Sequence, residues 1–335
     1  MEAKLVEALP AGAAWQYEPK WDGFRCIIFR QGAQIRLQSK SEKPLDRYFP
    51  ELMESVAKIR AKQFVLDGEI VIPAENGVDF DQLLQRIHPA ASRVRKLAAE
   101  HPAHFMAFDL LGDESGRDLL KTPLAERRPQ LERFAQKYFS KIPRLHLSPA
   151  TTALAQAQQW LEGPGCFLDG LIAKRLDLPY APGERSAMQK FKRIRTADCV
   201  VGGFRYAGHA QEAVGSLLLG LYEGGLLHHV GFTSGIAQAE RTKLLRKLKP
   251  LIQAPGFTGH APGGPSRWST ERSESWQPLR PELVVEVSFD HVTQNRFRHG
   301  TRILRWRPDK APEQCTMEQI TPTATGHRPV FDLIG

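Results

Sequence analysis

The stretch Tyr17–Gln38, YEPKWDGFRCIIFRQGAQIRLQ, decides how the chain is read. From Phe24 onward apolar and polar residues alternate on both sides of Gln31-Gly32, the pattern of a β-hairpin. Ahead of the hairpin, Glu18, Lys20, Asp22 and Arg25 crowd together at its mouth. A lysine between carboxylates is usually a solvated ion pair of small energetic weight. Held out of water among other charges, the same amine becomes a nucleophile. Which of these applies depends on the company the lysine keeps farther along the chain.

Strand-like runs recur at FRCIIFR, QIRLQS, QFVLDGEIVIP, HFMAFDLL and GLIAKRL. The spacing of apolar residues predicts helices within YFPELMESVAKIRA, DFDQLLQRI, PLAERRPQLERFAQKYF and TTALAQAQQWLE. Hairpins come first and helices are inserted between later strands. An α+β domain with a largely antiparallel sheet is therefore expected, not regular β-α alternation. The pattern changes at FKRIRTADCVVGGF. Short strands with glycine turns follow, interrupted by one helix in AQAERTKLLRKLKPL, which suits a small β-barrel such as an OB-fold. The expected division is residues 1–195 and 196–335. Within the second part Ala254–Trp276, rich in Pro, Gly and Ser, reads as a long loop.

Composition narrows the class. The 335 residues, 41% hydrophobic and 25% charged, are those of a globular protein with room for more than one core. No apolar run is long enough to span a membrane, and the first residues lack a basic segment followed by an apolar one. Cys26, Cys166, Cys199 and Cys315 are widely spaced and read as reduced, mostly buried thiols of a cytoplasmic protein. No histidine has the spacing of a zinc ligand. The net charge of +9 favours a polyanionic partner.

Five charged segments lie on or beside strand-like runs: EPKWDGFR, LDGEIVIP, AFDLL, DGLIAKR and MQKFK. Singly, a D-G pair reads as a turn and a lysine at a strand end as solvated. Together, acids and lysines facing one concave sheet surface suit a triphosphate and its metal.

These segments resemble the motifs of covalent nucleotidyltransferases. KWDGFR fits K-x-D-G-x-R, the first motif of ATP-dependent DNA ligases and mRNA capping enzymes. DGEI, FD, DGLIAK, KFK and RWRPDK follow in the family's order. Phrases such as DGLIAKRLDLPY, ADCVVGG and RPELVVEV look most like the stand-alone bacterial ligase C group, relatives of the ligase domain of bacterial end-joining enzymes.

The resemblance implies an antiparallel-sheet adenylation domain followed by an OB-fold domain, using ATP with Mg²⁺ or Mn²⁺. Lys20 is then the nucleophile that takes AMP as a phosphoramidate. A free lysine, with a pKa of about 10.4, is neutral in only ~1 in 2,500 molecules at pH 7. Nearby cations make the neutral form easier to reach, and Arg25, Lys190 and Lys192 are the cations on offer. Glu18 resembles the residue that reads the adenine edge, and Phe108 the aromatic that stacks on the base. Arg25 and Glu69 match ribose contacts, with Glu69 and Asp169 as metal ligands. Arg185, Lys190 and Lys192 match phosphate contacts, and Arg307, Asp309 and Lys310 the motif that meets the pyrophosphate.

Two positions depart from the family. Asp169 stands where relatives usually carry Glu, one methylene longer. Lys40, the expected contact to a DNA 5′-phosphate, stands where they usually carry Arg and so lacks the bidentate fork. Arg296 and Arg298 are expected to face DNA. The implied activity is sealing of nicks in double-stranded DNA by a monomer in the bacterial cytoplasm, associated with the nucleoid. Its implied context is DNA repair beside a repair polymerase or end-joining factors. The alternatives are an RNA ligase or capping guanylyltransferase, and a non-catalytic OB-type nucleic-acid binder.

Overall fold

The computed structural model describes residues 1–74, 77–161, 168–263 and 275–321. Cys166 and Trp268 lie outside the described residues. The described residues form two compact units, 1–193 and 194–321.

The first unit contains β1 (Lys4–Val6), β2 (Trp15–Pro19), β3 (Phe24–Gln31), β4 (Gln34–Ser39) and β5 (Gln63–Val71). It continues with β6 (His104–Gly112), β7 (Leu145–Leu147), β8 (Gly170–Arg175) and β9 (Met188–Lys192). One sheet runs β4-β3-β5-β6-β7 and the other β1-β9-β8-β2. Pairing in them is antiparallel except between β1 and β9 and between β6 and β7. The helices are α1 (Pro50–Ala57), α2 (Phe80–Gln85), α3 (Ala91–Glu100), α4 (Leu124–Tyr138) and α5 (Leu154–Gln159).

Alternation sets the faces of β3. Cys26, Ile28 and Arg30 are buried, while Ile27 and Phe29 lie on the opposite face. The buried Arg30 guanidinium donates to the carbonyls of Val56 (2.7 Å), in the last turn of helix α1, and of Ile59 (2.5 Å), just beyond it. The hairpin turn falls on Gly32 and Ala33, one position later than expected, because Gln31 pairs directly with Gln34. Gly32 has φ +61°, the left-handed conformation such a turn requires. Helix α3 escaped the periodicity. Its N-cap is Ala90, with no side-chain cap, and its buried stripe is only Val94, Leu97 and Ala98.

The core of this unit includes Ile28, Leu37, Phe49, Phe64, Phe105, Leu131 and Phe134. Inside it, Arg127 of α4 makes a two-pronged pair with Asp109 of β6, both bonds 2.9 Å. Arg127 and Asp109 are 0% and 2% exposed, so the pair is in effect dry and each charge depends on the other.

The second unit is built on β10 (Arg195–Tyr206), β11 (Val214–Glu223), β12 (Leu226–Thr233), β13 (Val284–Phe289) and β14 (Arg302–Trp306). They form a sheet in the order β12-β11-β10-β13-β14, all neighbours antiparallel. One helix, α6 (Gln238–Leu248), joins a core that includes Phe204, Leu217, Leu219, Val230, Val285 and Phe289. Trp276 is a packing residue, its ring 5.5 Å from that of Phe257 in an edge-to-face contact. Cys26, Cys199 and Cys315 are free and buried, and burial pushes all three thiols up. No helix among the described residues is long and apolar enough to cross a membrane.

Replacing Arg127 by Met should strand the Asp109 carboxylate in the core and cost about 3–5 kcal/mol. Urea unfolding followed by tryptophan fluorescence would measure this loss, which Arg127→Lys, lacking the fork, should only partly repair.

Candidate active site

Strand register assembles the site. β2 and β8 place Glu18 opposite Ile172 and Gln16 opposite Lys174, and β9 places Lys190 on the other side of Ile172. Glu18, Ile172 and Lys190 therefore form one row across a single face of the four-stranded sheet. Lys20 follows directly after β2, and its backbone N–H donates to the Gly170 carbonyl (3.1 Å). The glycines here serve close strand approach. A Cβ on Gly170 would strike the carbonyl of Phe191, and one on Gly23 that of Ile70. Asp67-Gly68 lies inside β5, not in the turn that a D-G pair suggests.

The five-stranded sheet supplies the opposing residues. Arg25 on β3 is paired in register with Glu69 on β5, and Phe108 comes from β6. Asp67 is fully buried and accepts from Arg25 Nε (2.9 Å), Arg25 Nη2 (2.5 Å) and the Tyr180 hydroxyl (2.7 Å). Burial by itself would push the Asp67 carboxyl up. The Arg25 charge and these hydrogen bonds outweigh it and hold the group below the usual carboxylate range. So fixed, the Arg25 guanidinium lies 5.1 Å from the centre of the Phe108 ring. Glu69 has no such fork. Its burial pushes the carboxyl up to about 8, against the pull of Arg25 and Lys20.

Between the sheets lies a cavity of about 140 Å³ lined by Glu18, Lys20, Arg25, Lys40, Glu69 and Phe108, with Met1, Ile172, Lys174 and Met188 among its other walls. Six of the residues singled out from sequence thus converge. Arg185, Lys190, Lys192 and Asp169 belong to the same unit but do not line the cavity. Lys190 is nevertheless part of the same electrostatic cluster. Burial, then Lys192, Lys20, Lys40 and Arg185, lowers its amine below the ordinary lysine value. Glu2 bridges two of these cations, 2.9 Å from Lys40 Nζ and 3.1 Å from Arg185 Nε. Asp169 is half-buried, and its carbonyl accepts from the Arg193 N–H (2.7 Å). A wider hollow of about 1460 Å³ runs along the β3–β4 hairpin, and none of the residues singled out from sequence lines it.

Sequence inspection missed Gln16, Asp67, Lys174 and Tyr180. Asp67 and Lys174 stand within quoted segments, but their partners Arg25 and Glu18 become neighbours only through strand pairing.

In the second unit, Arg307 Nη1 bonds both oxygens of Asp198 (2.9 and 3.1 Å), and its Nη2 bonds Asp309 (2.9 Å). Lys310 lies 3.7 Å from the same Asp198, a residue sequence inspection also missed. Arg296 is exposed, its guanidinium 3.1 Å from Nδ1 of the buried His229. Burial, followed by the charges of Arg296 and Arg205, lowers that imidazole to about 3. Arg298 is half-buried, and its backbone N–H donates to the His291 carbonyl (3.0 Å).

Residues 3–192 match the family model described as ATP dependent DNA ligase domain, and residues 210–310 that described as ATP dependent DNA ligase C terminal region. The chain belongs to the ATP-dependent DNA ligases. Within them it falls with the bacterial ligase C proteins. It is 45% identical to DNA ligase C2 of Mycolicibacterium smegmatis, over 96% of this chain and 93% of that one. It is also 45% identical to DNA ligase C of Mycobacterium tuberculosis, over 96% of this chain and 92% of that one. A solved Lig E DNA ligase, described as binding DNA with a minimal scaffold, shares the fold. It has a TM-score of 0.58 and 17% identity over 91% of this chain and 98% of that one. The ligase is thus an α+β adenylation domain followed by an OB-fold domain.

The raised Glu69 carboxyl fixes a pH signature. Between the ordinary 4.5 and about 8, the folded ligase holds a proton there that the unfolded chain releases. The stability linked to this group is present below about pH 4.5 and is lost as pH rises through about 8. Glu69→Gln should therefore lose less stability than the parent between about pH 5 and pH 8, read from urea midpoints at the two values.

Proposed function

We propose that this ligase seals nicks in duplex DNA, joining a 3′-hydroxyl to a 5′-phosphate, by way of AMP carried covalently on Lys20. The observation that carries this reading is the meeting of Lys20 with Glu18, Arg25, Glu69 and Phe108 around one cavity. In the first step the neutral Lys20 amine attacks the α-phosphorus of ATP. An N–P bond forms, the bond to the pyrophosphate oxygen breaks, and the amine gives up its proton. In the second, the 5′-phosphate at the nick takes AMP from Lys20. In the third, the 3′-hydroxyl attacks that phosphate and AMP leaves.

Phe108 and Glu18 serve the base, Arg25 and Glu69 the ribose, and Lys190, Lys192 and Arg185 the phosphates. Five cations within one electrostatic cluster (Lys20, Lys40, Arg185, Lys190 and Lys192) repel one another until a polyanion arrives, which favours a triphosphate and then a DNA end. Mg²⁺ or Mn²⁺ would be held by Glu69 and Asp169, hard oxygen donors suited to either ion, and would neutralise phosphate charge. Lys40 would meet the 5′-phosphate, Arg296 and Arg298 the duplex, and Arg307 and Lys310 the pyrophosphate. Resemblance to the ligase domain of bacterial end-joining enzymes supports repair as the context, beside a polymerase or end-joining factors. The working form in this reading is a nucleoid-associated monomer.

The deciding experiment is incubation with α-labelled ATP followed by denaturation. The wild type should keep the label, while Lys20→Ala should take none yet still seal a nick supplied already adenylated. Label retained by Lys20→Ala would remove Lys20 as the nucleophile, and label taken from GTP in preference to ATP would point to capping chemistry. Lys310→Ala should slow reaction with ATP by roughly a hundredfold while sparing the pre-adenylated nick. Arg296→Ala and Arg298→Ala should behave oppositely, each lowering the salt slope of nick binding by about one unit.

A further inference from the structure

Lys174 has no part in the three steps above, yet it is among the most enclosed charges of the first unit. Its side chain and that of Glu18 are each 3% exposed, and Lys174 Nζ lies 2.8 Å from Glu18 Oε2. The other carboxylate oxygen, Oε1, accepts from Gln16 Nε2 (2.7 Å). Lys174 Nζ also donates to the Phe108 carbonyl (3.3 Å) and sits 4.5 Å from the centre of the Phe108 ring. One ammonium therefore ties the acid at the cavity edge to the aromatic ring that borders the same cavity. Register explains how. Gln16 and Lys174 face each other across β2 and β8, one step along from Glu18 and Ile172, so the Glu18–Lys174 contact is the diagonal of that pair of strands.

We propose that Lys174 and Gln16 are positioning residues that make the site select adenine over guanine, by holding Glu18 as an acceptor-only carboxylate at the edge of the base. This rests on the proposed adenylation chemistry and on Glu18 facing the base. Adenine presents an amino donor where guanine presents the O6 acceptor. An ionised carboxylate has lone pairs but no proton to give, so it accepts from the first and repels the second. Each Glu18 oxygen already takes one hydrogen bond from the protein and keeps a further lone pair for the base. Without Lys174 the acid would lose the ammonium that fixes Oε2, its acceptor oxygens would no longer be held toward the amino group of adenine, and the selection would be lost.

A purely structural ion pair would change stability without changing which base is taken. The test is therefore the ratio of kcat/KM for lysyl adduct formation with labelled ATP and labelled GTP, in which the fraction of folded protein cancels. Lys174→Met should raise KM for ATP more than it lowers kcat and cut the preference for ATP over GTP by ~100-fold. Lys174→Arg, which keeps the charge and the donors, should restore most of that preference. Gln16→Leu should cut it by ~10-fold. Should Lys174→Met not fold, Gln16→Leu carries the comparison. A parent-like ratio in Lys174→Met, or in Gln16→Leu if it stands alone, overturns the assignment, as does a wild type that takes GTP as readily as ATP. A wild type that takes no label from either nucleotide defeats the adenylation chemistry instead.

Discussion

The fork between Arg25 and Asp67 is the interaction on which the site depends. Asp67 is 0% exposed in the middle of a sheet, where an unpaired carboxylate would cost several kcal/mol, so β5 can hold it only if β3 delivers a guanidinium to it. That delivery also fixes Arg25 relative to Phe108, and the Tyr180 hydroxyl joins the same carboxylate from the segment between β8 and β9. Both sheets of the adenylation domain are thereby referred to one buried anion. Glu69, two residues on and paired in register with Arg25, receives only what remains of that charge, which is why burial prevails there and not at Asp67.

Around this anchor the charges are interleaved. Glu18 is matched by Lys174, and Glu2 by Lys40 and Arg185, while Lys190 is left among cations. The residues that bear them stand on strands or within three residues of a strand end, so their spacing is set largely by pleat and register. Loops move, and a reacting atom displaced by an ångström loses rate steeply. In the proposed adenylation, Glu18 and Phe108 on strands, with Lys20 directly after one, would avoid that loss.

Much of this was legible in the sequence, and the exceptions have physical causes. Alternation in β3 and β4 showed a hairpin because each strand has one face on the core, and the charged motifs stood out because they interrupt apolar strands. A D-G pair taken singly suggests a turn, yet Asp67-Gly68 runs inside the strand that its apolar neighbours announced, where the Phe105 ring and the Met106 carbonyl leave no room for a Cβ on Gly68. Helix α3 had neither cap nor broad stripe to announce it. The pairs Glu18–Lys174 and Arg307–Asp198 could not be read at all. They join residues far apart in the chain, the second pair by 109 positions, and no local pattern encodes which strand will lie beside which.

That second pair has a consequence of its own. A free arginine side chain samples many rotamers, a freedom worth about 2 kcal/mol, and must surrender them to hold a ligand. Asp198 and Asp309 take that freedom from Arg307 when the OB-fold domain folds. In the proposed role at the pyrophosphate, its guanidinium would meet the anion already oriented, so the entropy of ordering it belongs to folding and not to each catalytic cycle.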